Sequence, residues 1–111
     1  MKRILAALVA VLLVLSASPA AAAGGATIDA TRDGSTVTVS YTAPDRFDNL
    51  WLNVDCGVTF DAWAQVRYGL LDESSHVFEN VPTDCEALLR EPVMRHWGRE
   101  WRVLASIEVL P

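Results

Sequence analysis

The chain has 111 residues with 14 acidic and nine basic side chains, for a formal net charge of −5. That length bounds it to about one domain. The acidic balance excludes the basic footprint that nucleic acid or an anionic membrane surface requires.

In chain order, residues 1–23 read as a signal peptide. Lys2 and Arg3 form a positive start, Ile4 to Leu15 is an uncharged apolar run, and Ala21-Ala22-Ala23 offers the small-residue pattern that signal peptidase cleaves, after Ala23. The rival is an uncleaved anchor, because Ile4 to Ala23 is long enough to cross a bilayer; Pro19 and the alanine run argue against it. The absence of a cysteine near that point excludes a lipid anchor there. The expected product is secreted, without stable membrane association, and monomeric. All 14 acidic residues and seven of the nine basic ones lie beyond residue 23, so removing 23 of 111 residues leaves 88 that carry net −7.

Residues 24–111 are expected to form a single β-domain, because period-2 alternation runs through them. "ATIDATR" and "STVTVSY" flank Asp33-Gly34, a strong hairpin signal. After a turn containing Pro44, Asp45 and Asp48, "LWLNVDC" places Leu50, Leu52, Val54 and Cys56 on one face and Trp51 on the other. "AWAQVRYGL" groups Ala64, Val66 and Tyr68, and "HVFENV" adds a short strand. Thr83 and Glu86 have capping-box spacing around "EALLRE", which competes with a strand there; Pro92 would stop a helix. Strand is the preferred reading, since an all-β chain needs a partner beside the last strand. In that last strand Trp101, Val103, Ala105, Ile107 and Val109 are expected to face inward together. Six or seven short strands with regular turns imply an antiparallel sandwich.

Cys56 and Cys85 are the only cysteines. An even count in a small exported domain reads as a structural disulfide, closing a loop of about 30 residues and worth about 3–4 kcal/mol in the chain-entropy model. A redox or zinc pair is disfavoured by the lack of Cys-x-x-Cys and of nearby histidines.

"TIDATRDGSTVTVSY", "LNVDCG", "FENVPTDC" and "REWRVLASIEV" together resemble a small secreted bacterial β-sandwich of immunoglobulin-like or fibronectin type III-like form. The resemblance implies a fold, an export route and one disulfide between a middle strand and a strand near the end. It implies no reaction. Trp63 follows Cys56 by only seven residues, unlike the core tryptophan of true immunoglobulin domains.

Chemistry-bearing patterns are sparse. His76 and His96 are the only histidines, Ser74 and Ser75 read as turn residues, and no G-x-S-x-G elbow occurs. Asp72, Glu73 and His76, like Asp45 and Asp48, read as solvated turn groups in place of metal ligands. No catalytic residue, metal or cofactor is expected. One stretch stands apart: "VMRHWGREWR" holds three arginines, a histidine and two tryptophans. Read as a loop over 93–100, it projects Arg95, His96, Trp97 and Arg99 as a contact surface, with Trp51 as a second outward aromatic; Trp and Arg dominate binding hot spots. The competing reading folds Trp97 over the open end of the core and pairs the arginines with acidic neighbours. The expected function is a secreted, non-enzymatic binding or accessory domain that meets an extracellular protein or cell-envelope component through that loop. The alternatives are an inhibitor of an extracellular enzyme and, less favoured, a small hydrolase.

Overall fold

The structure, a computed structural model, describes residues 20–21 and 23–111; the charged start and apolar run of the expected signal peptide lie outside them. Ala20–Ala21 (β1) pairs with the start of β2, and a 3-10 turn over Ala23–Gly25 contains the expected cleavage point. The Gly34 hairpin joins β2 (Thr27–Asp33) to β3 (Thr36–Thr42). Gly34 takes φ 63 at the first position of a two-residue turn, where a hairpin of matching twist needs a positive φ. Then follow β4 (Asn49–Asp55), β5 (Asp61–Tyr68), the two-residue β6 (Leu71–Asp72), β7 (Ser75–Phe78), β8 (Cys85–Arg95) and β9 (Gly98–Val109). Seven of these strands have four or more residues.

They form two antiparallel sheets, ordered β1-β2-β3-β7 and β6-β5-β4-β8-β9. The core lies between them. Ile28, Val37, Val39 and Phe78 from the first sheet meet Leu50, Leu52, Val54, Val66, Leu89 and Leu104 from the second. Arg32 fastens the turn before β8 onto the first hairpin, donating to the carbonyls of Val81 (2.9 Å) and Pro82 (2.6 Å).

The segment after Cys85 is strand, as preferred over helix. It is an interior strand of its sheet, paired with β4 on one side and β9 on the other, so ladder bonds on both edges outweigh local helix propensity. Pro92 is tolerated because the β4 ladder ends at Arg90, leaving no neighbour on that side to receive a donor. Cys56 and Cys85 form the disulfide, with Cα atoms 4.2 Å apart. They occupy the next register position after the Asp55–Glu86 pair, so the bond closes the β4–β8 ladder within one sheet.

Two β-bulges change the expected facing of side chains. Leu50 faces Arg67 while Trp51 faces Gln65, leaving Val66 as an extra residue in β5. Leu89 faces Ala105 while Arg90 faces Val103, leaving Leu104 as the extra residue in β9. An inserted residue reverses the alternation beyond it. Tyr68 therefore points out and Val66 in, against their expected common face. Likewise Val103 is 42% exposed and Leu104 only 1%. Trp101, expected in the core with Ala105 and Val109, lies on the opposite face of the sheet.

The expected 93–100 loop is also corrected. β8 continues to Arg95 and β9 starts at Gly98, so only His96 and Trp97 form the turn. Gly98, at φ 127, takes a backbone conformation that side chains disfavour and lets the turn stay this short. Residues 91–95 and 98–102 extend past the end of the β4 ladder as a two-stranded arm.

Candidate binding surface

The outward face of the β5-β4-β8-β9 sheet collects the unusual residues. Its cross-strand rows follow from the register. Asp61, Asp55, Glu86 and Glu108 share one row at the disulfide end. Trp63, Asn53, Leu88 and Ser106 form the next, followed by Gln65, Trp51, Arg90 and Val103. Pro92 then pairs with Trp101, and Met94 with Arg99 on the arm.

Trp101 joins the other two tryptophans of this face. Its ring lies edge-on to Trp51 at 5.6 Å and tilted against Trp63 at 4.9 Å, centroid to centroid. Both distances fall in the range of favourable aromatic pairs. Arg90 stacks over Trp63 at 5.1 Å and Arg99 over Trp101 at 5.8 Å. Beneath them Asn53, 1% exposed, is fully used. Its amide donates to Asp61 Oδ1 (2.7 Å) and to the Ala62 carbonyl (2.9 Å), while its oxygen accepts from Arg90 Nε (3.1 Å). Asn49 Oδ1 likewise accepts from Trp51 Nε1 (3.1 Å) and Gln65 Nε2 (3.0 Å). A buried amide whose donors and acceptor are all paired, as in Asn53, fixes its neighbours at small cost. The aromatic band is thus held from below by a polar network.

Beside the band runs an open groove of about 930 Å³, with Trp51 and Trp101 on its lining, Tyr68 and Leu71 on one flank, and Pro92, Met94 and Arg99 of the arm on the other. Asp45, Asp48, Asn49, Gln65 and Asp72 supply its polar groups. Arg67 braces this end: it donates to the carbonyls of Pro44 (3.0 Å) and Phe47 (2.9 Å) and pairs with Asp72 at 3.5 Å. The same guanidinium lies over the Tyr41 ring at 5.7 Å. Burial pushes the Tyr41 phenol above its ordinary value; Arg67 opposes this, while Asp72 and Glu73 reinforce it.

The candidates named from the sequence separate. Trp51 and Arg99 line the groove. Arg95 pairs with Glu100 at 3.0 Å. Trp97, at 77% exposure, stands at the tip of the arm beside His96 and does not cover the core. Trp63, Trp101, Tyr68, Asn49 and Gln65 were not singled out by sequence as contact residues. The signal for Trp101 was present in "RVLAS", where Val103-Leu104-Ala105 puts three apolar residues in succession inside an alternating strand. His76 lies on β7 of the opposite sheet, edge-on to Phe78 at 4.8 Å, so it and His96 are not brought together. Among the described residues no group of three or more His, Cys, Asp or Glu side chains is placed to hold a metal ion.

No family model matches the chain, and no match is found among curated proteins or among solved structures.

Proposed function

We propose that the chain is a secreted, non-enzymatic binding domain on an immunoglobulin-like or fibronectin type III-like sandwich, and that the groove on its larger sheet is the contact surface. The observation that carries this reading is the placement of Trp51, Trp63 and Trp101, from three different strands, on an outward face. A sheet face made only for solvent needs no such area of aromatic surface, and large aromatic side chains with arginine are the chemistry of binding hot spots. Export is supported by residues 1–23 and by a disulfide, which persists in oxidising compartments. The sandwich type is supported by three main strands, β2-β3-β7, opposing four, β5-β4-β8-β9. The disulfide within one sheet departs from the inter-sheet bond of antibody domains. The partner is an extracellular protein or a cell-envelope component.

A second reading, an inhibitor of an extracellular enzyme, is favoured by Trp97 at the end of a tight two-residue turn on a projecting arm. A tip of that shape suits insertion into a cleft.

Capture from culture fluid and cell envelope with the mature chain, Tyr68→Ala and Trp97→Ala separates the two. Both residues are exposed, so both variants are expected to stay folded. A partner lost only with Tyr68→Ala supports the groove, and one lost only with Trp97→Ala supports the inhibitor. A partner retained by both variants overturns both readings.

A further inference from the structure

We infer that the groove and the sheet face beside it receive a cationic stretch of polypeptide, rich in lysine or arginine; this rests on the groove being the contact surface. The first ground is how the chain uses its own charges. All seven arginines beyond residue 23 are engaged internally. Three are in ion pairs, with Asp72, Glu91 and Glu100. Arg32 and Arg46 donate to backbone carbonyls, and Arg90 and Arg99 lie over tryptophan rings. Among the described residues, those three are the only carboxylates of the 14 in ion pairs, which leaves eleven without a cationic partner.

The second ground is where the uncompensated carboxylates stand. Asp61, Asp55, Glu86 and Glu108 oppose one another directly across four neighbouring strands. Like charges in such positions destabilise a sheet, and no arginine intervenes. Asp45 and Asp48 stand at the groove, toward the other end of the same face. Between the two acidic ends lies the aromatic band, and the exposed ring of Tyr68 offers a face to a cation, whereas that of Trp63 already carries Arg90. The separation along β4, from Asp55 to Asn49, is about 20 Å at roughly 3.3 Å per residue. An extended segment of about six residues covers it, with cationic side chains at both ends and their stems on the rings. Net negative charge speeds the approach of such a partner and repels polyanions.

The test is titration of the full mature chain with a fluorescent extended peptide alternating arginine and serine, beside a glutamate-serine peptide, an uncharged peptide and a neutral oligosaccharide. Variants are Asp55→Asn/Glu86→Gln, Tyr68→Ala and, on the opposite sheet, Asp29→Asn/Asp33→Asn. The expected result is binding of the arginine peptide alone. Its affinity should fall about tenfold or more with each of the first two variants and with rising salt, and stay unchanged with the third. Equal loss with Asp29→Asn/Asp33→Asn overturns the inference, because attraction would then be diffuse. Binding of the sugar or uncharged peptide that needs Tyr68 but not the carboxylates overturns the cationic ligand while leaving the groove. Binding that needs the carboxylates but not Tyr68 overturns the groove itself, and no binding of the arginine peptide overturns the inference outright.

Discussion

The two outer faces of the sandwich are built from the same alternating strands and end in opposite surfaces. On the smaller sheet Thr27, Asp29, Thr31 and Asp33 of β2 face Thr42, Ser40, Thr38 and Thr36 of β3, without a register shift. These are short side chains that water satisfies, and threonine suits a pleated, half-buried surface. On the larger sheet two bulges break the alternation and turn Tyr68 and Trp101 outward, beside Trp51 and Trp63. Regular alternation already turns Trp51 and Trp63 out, and the inserted residues add Tyr68 and Trp101 to that surface. Bulges re-aim side chains, and here the re-aimed ones line the groove.

The largest effect that tests this contrast is on the disulfide. Cys56→Ser/Cys85→Ser is expected to cost about 3–4 kcal/mol in urea unfolding, on the chain-entropy model for a loop of this length. A loss under about 1 kcal/mol would show that the β4–β8 ladder holds the larger sheet unaided. Next comes Trp101→Ala, expected to cost about 2–3 kcal/mol, since two aromatic contacts and much apolar area go with it. Its counterpart on the plain face, Thr38→Ala, should stay within about 0.5 kcal/mol. Equal small losses would reduce the aromatic band to surface ornament and erase the difference between the faces.

That contrast also marks what the sequence made legible. In β2 and β3 every second residue except Arg32 is apolar, so the hairpin, its turn and its inward Val37 and Val39 are readable directly. The outward position of Trp51 is readable for the same reason, since Leu50 and Leu52 flank it. Trp101 was not, because a strict period of two carries it inward, and the phase change at Leu104 depends on pairing with a strand more than ten residues away in sequence. The row Asp61–Asp55–Glu86–Glu108 is likewise invisible before the register of four strands is known. Arg95 and Arg99 were legible as a pair of candidates but not their division of labour. Two residues shorten the expected loop to a turn, placing one arginine in an ion pair and the other at the groove.

The acidic row yields a smaller effect of opposite sign. Asp55→Asn/Glu86→Gln relieves three opposed pairs and keeps side-chain size, so it should stabilise the domain by about 0.2–1 kcal/mol at low salt. The gain should shrink as salt screens the row. On the plain face Asp29 and Asp33 oppose Ser40 and Thr36, so Asp29→Asn/Asp33→Asn should give no comparable gain. Matching gains from the two double variants would indicate general relief of net charge, with the row itself of no account.

The smallest effect at neutral pH sits where the faces are tied together. The β5 bulge that turns Tyr68 out also turns Arg67 in, over the ring of Tyr41 from the other sheet. Among the described residues the buried Tyr41 hydroxyl has no hydrogen-bond partner, so Tyr41→Phe should change stability little at pH 7 or raise it slightly. At alkaline pH the two proteins should part. Burial first, then Asp72 and Glu73, hold the folded phenol above its ordinary value against the pull of Arg67. As pH passes the unfolded value, about 10 for a free phenol, the unfolded chain releases this proton while the folded chain retains it. Stability from Tyr41 is therefore complete below that pH and lost as pH rises through the folded value. Wild type should lose stability with pH more steeply than Tyr41→Phe in urea unfolding above about pH 10. Parallel curves would place the phenol in contact with water, and with it the end of the core that Arg67 closes.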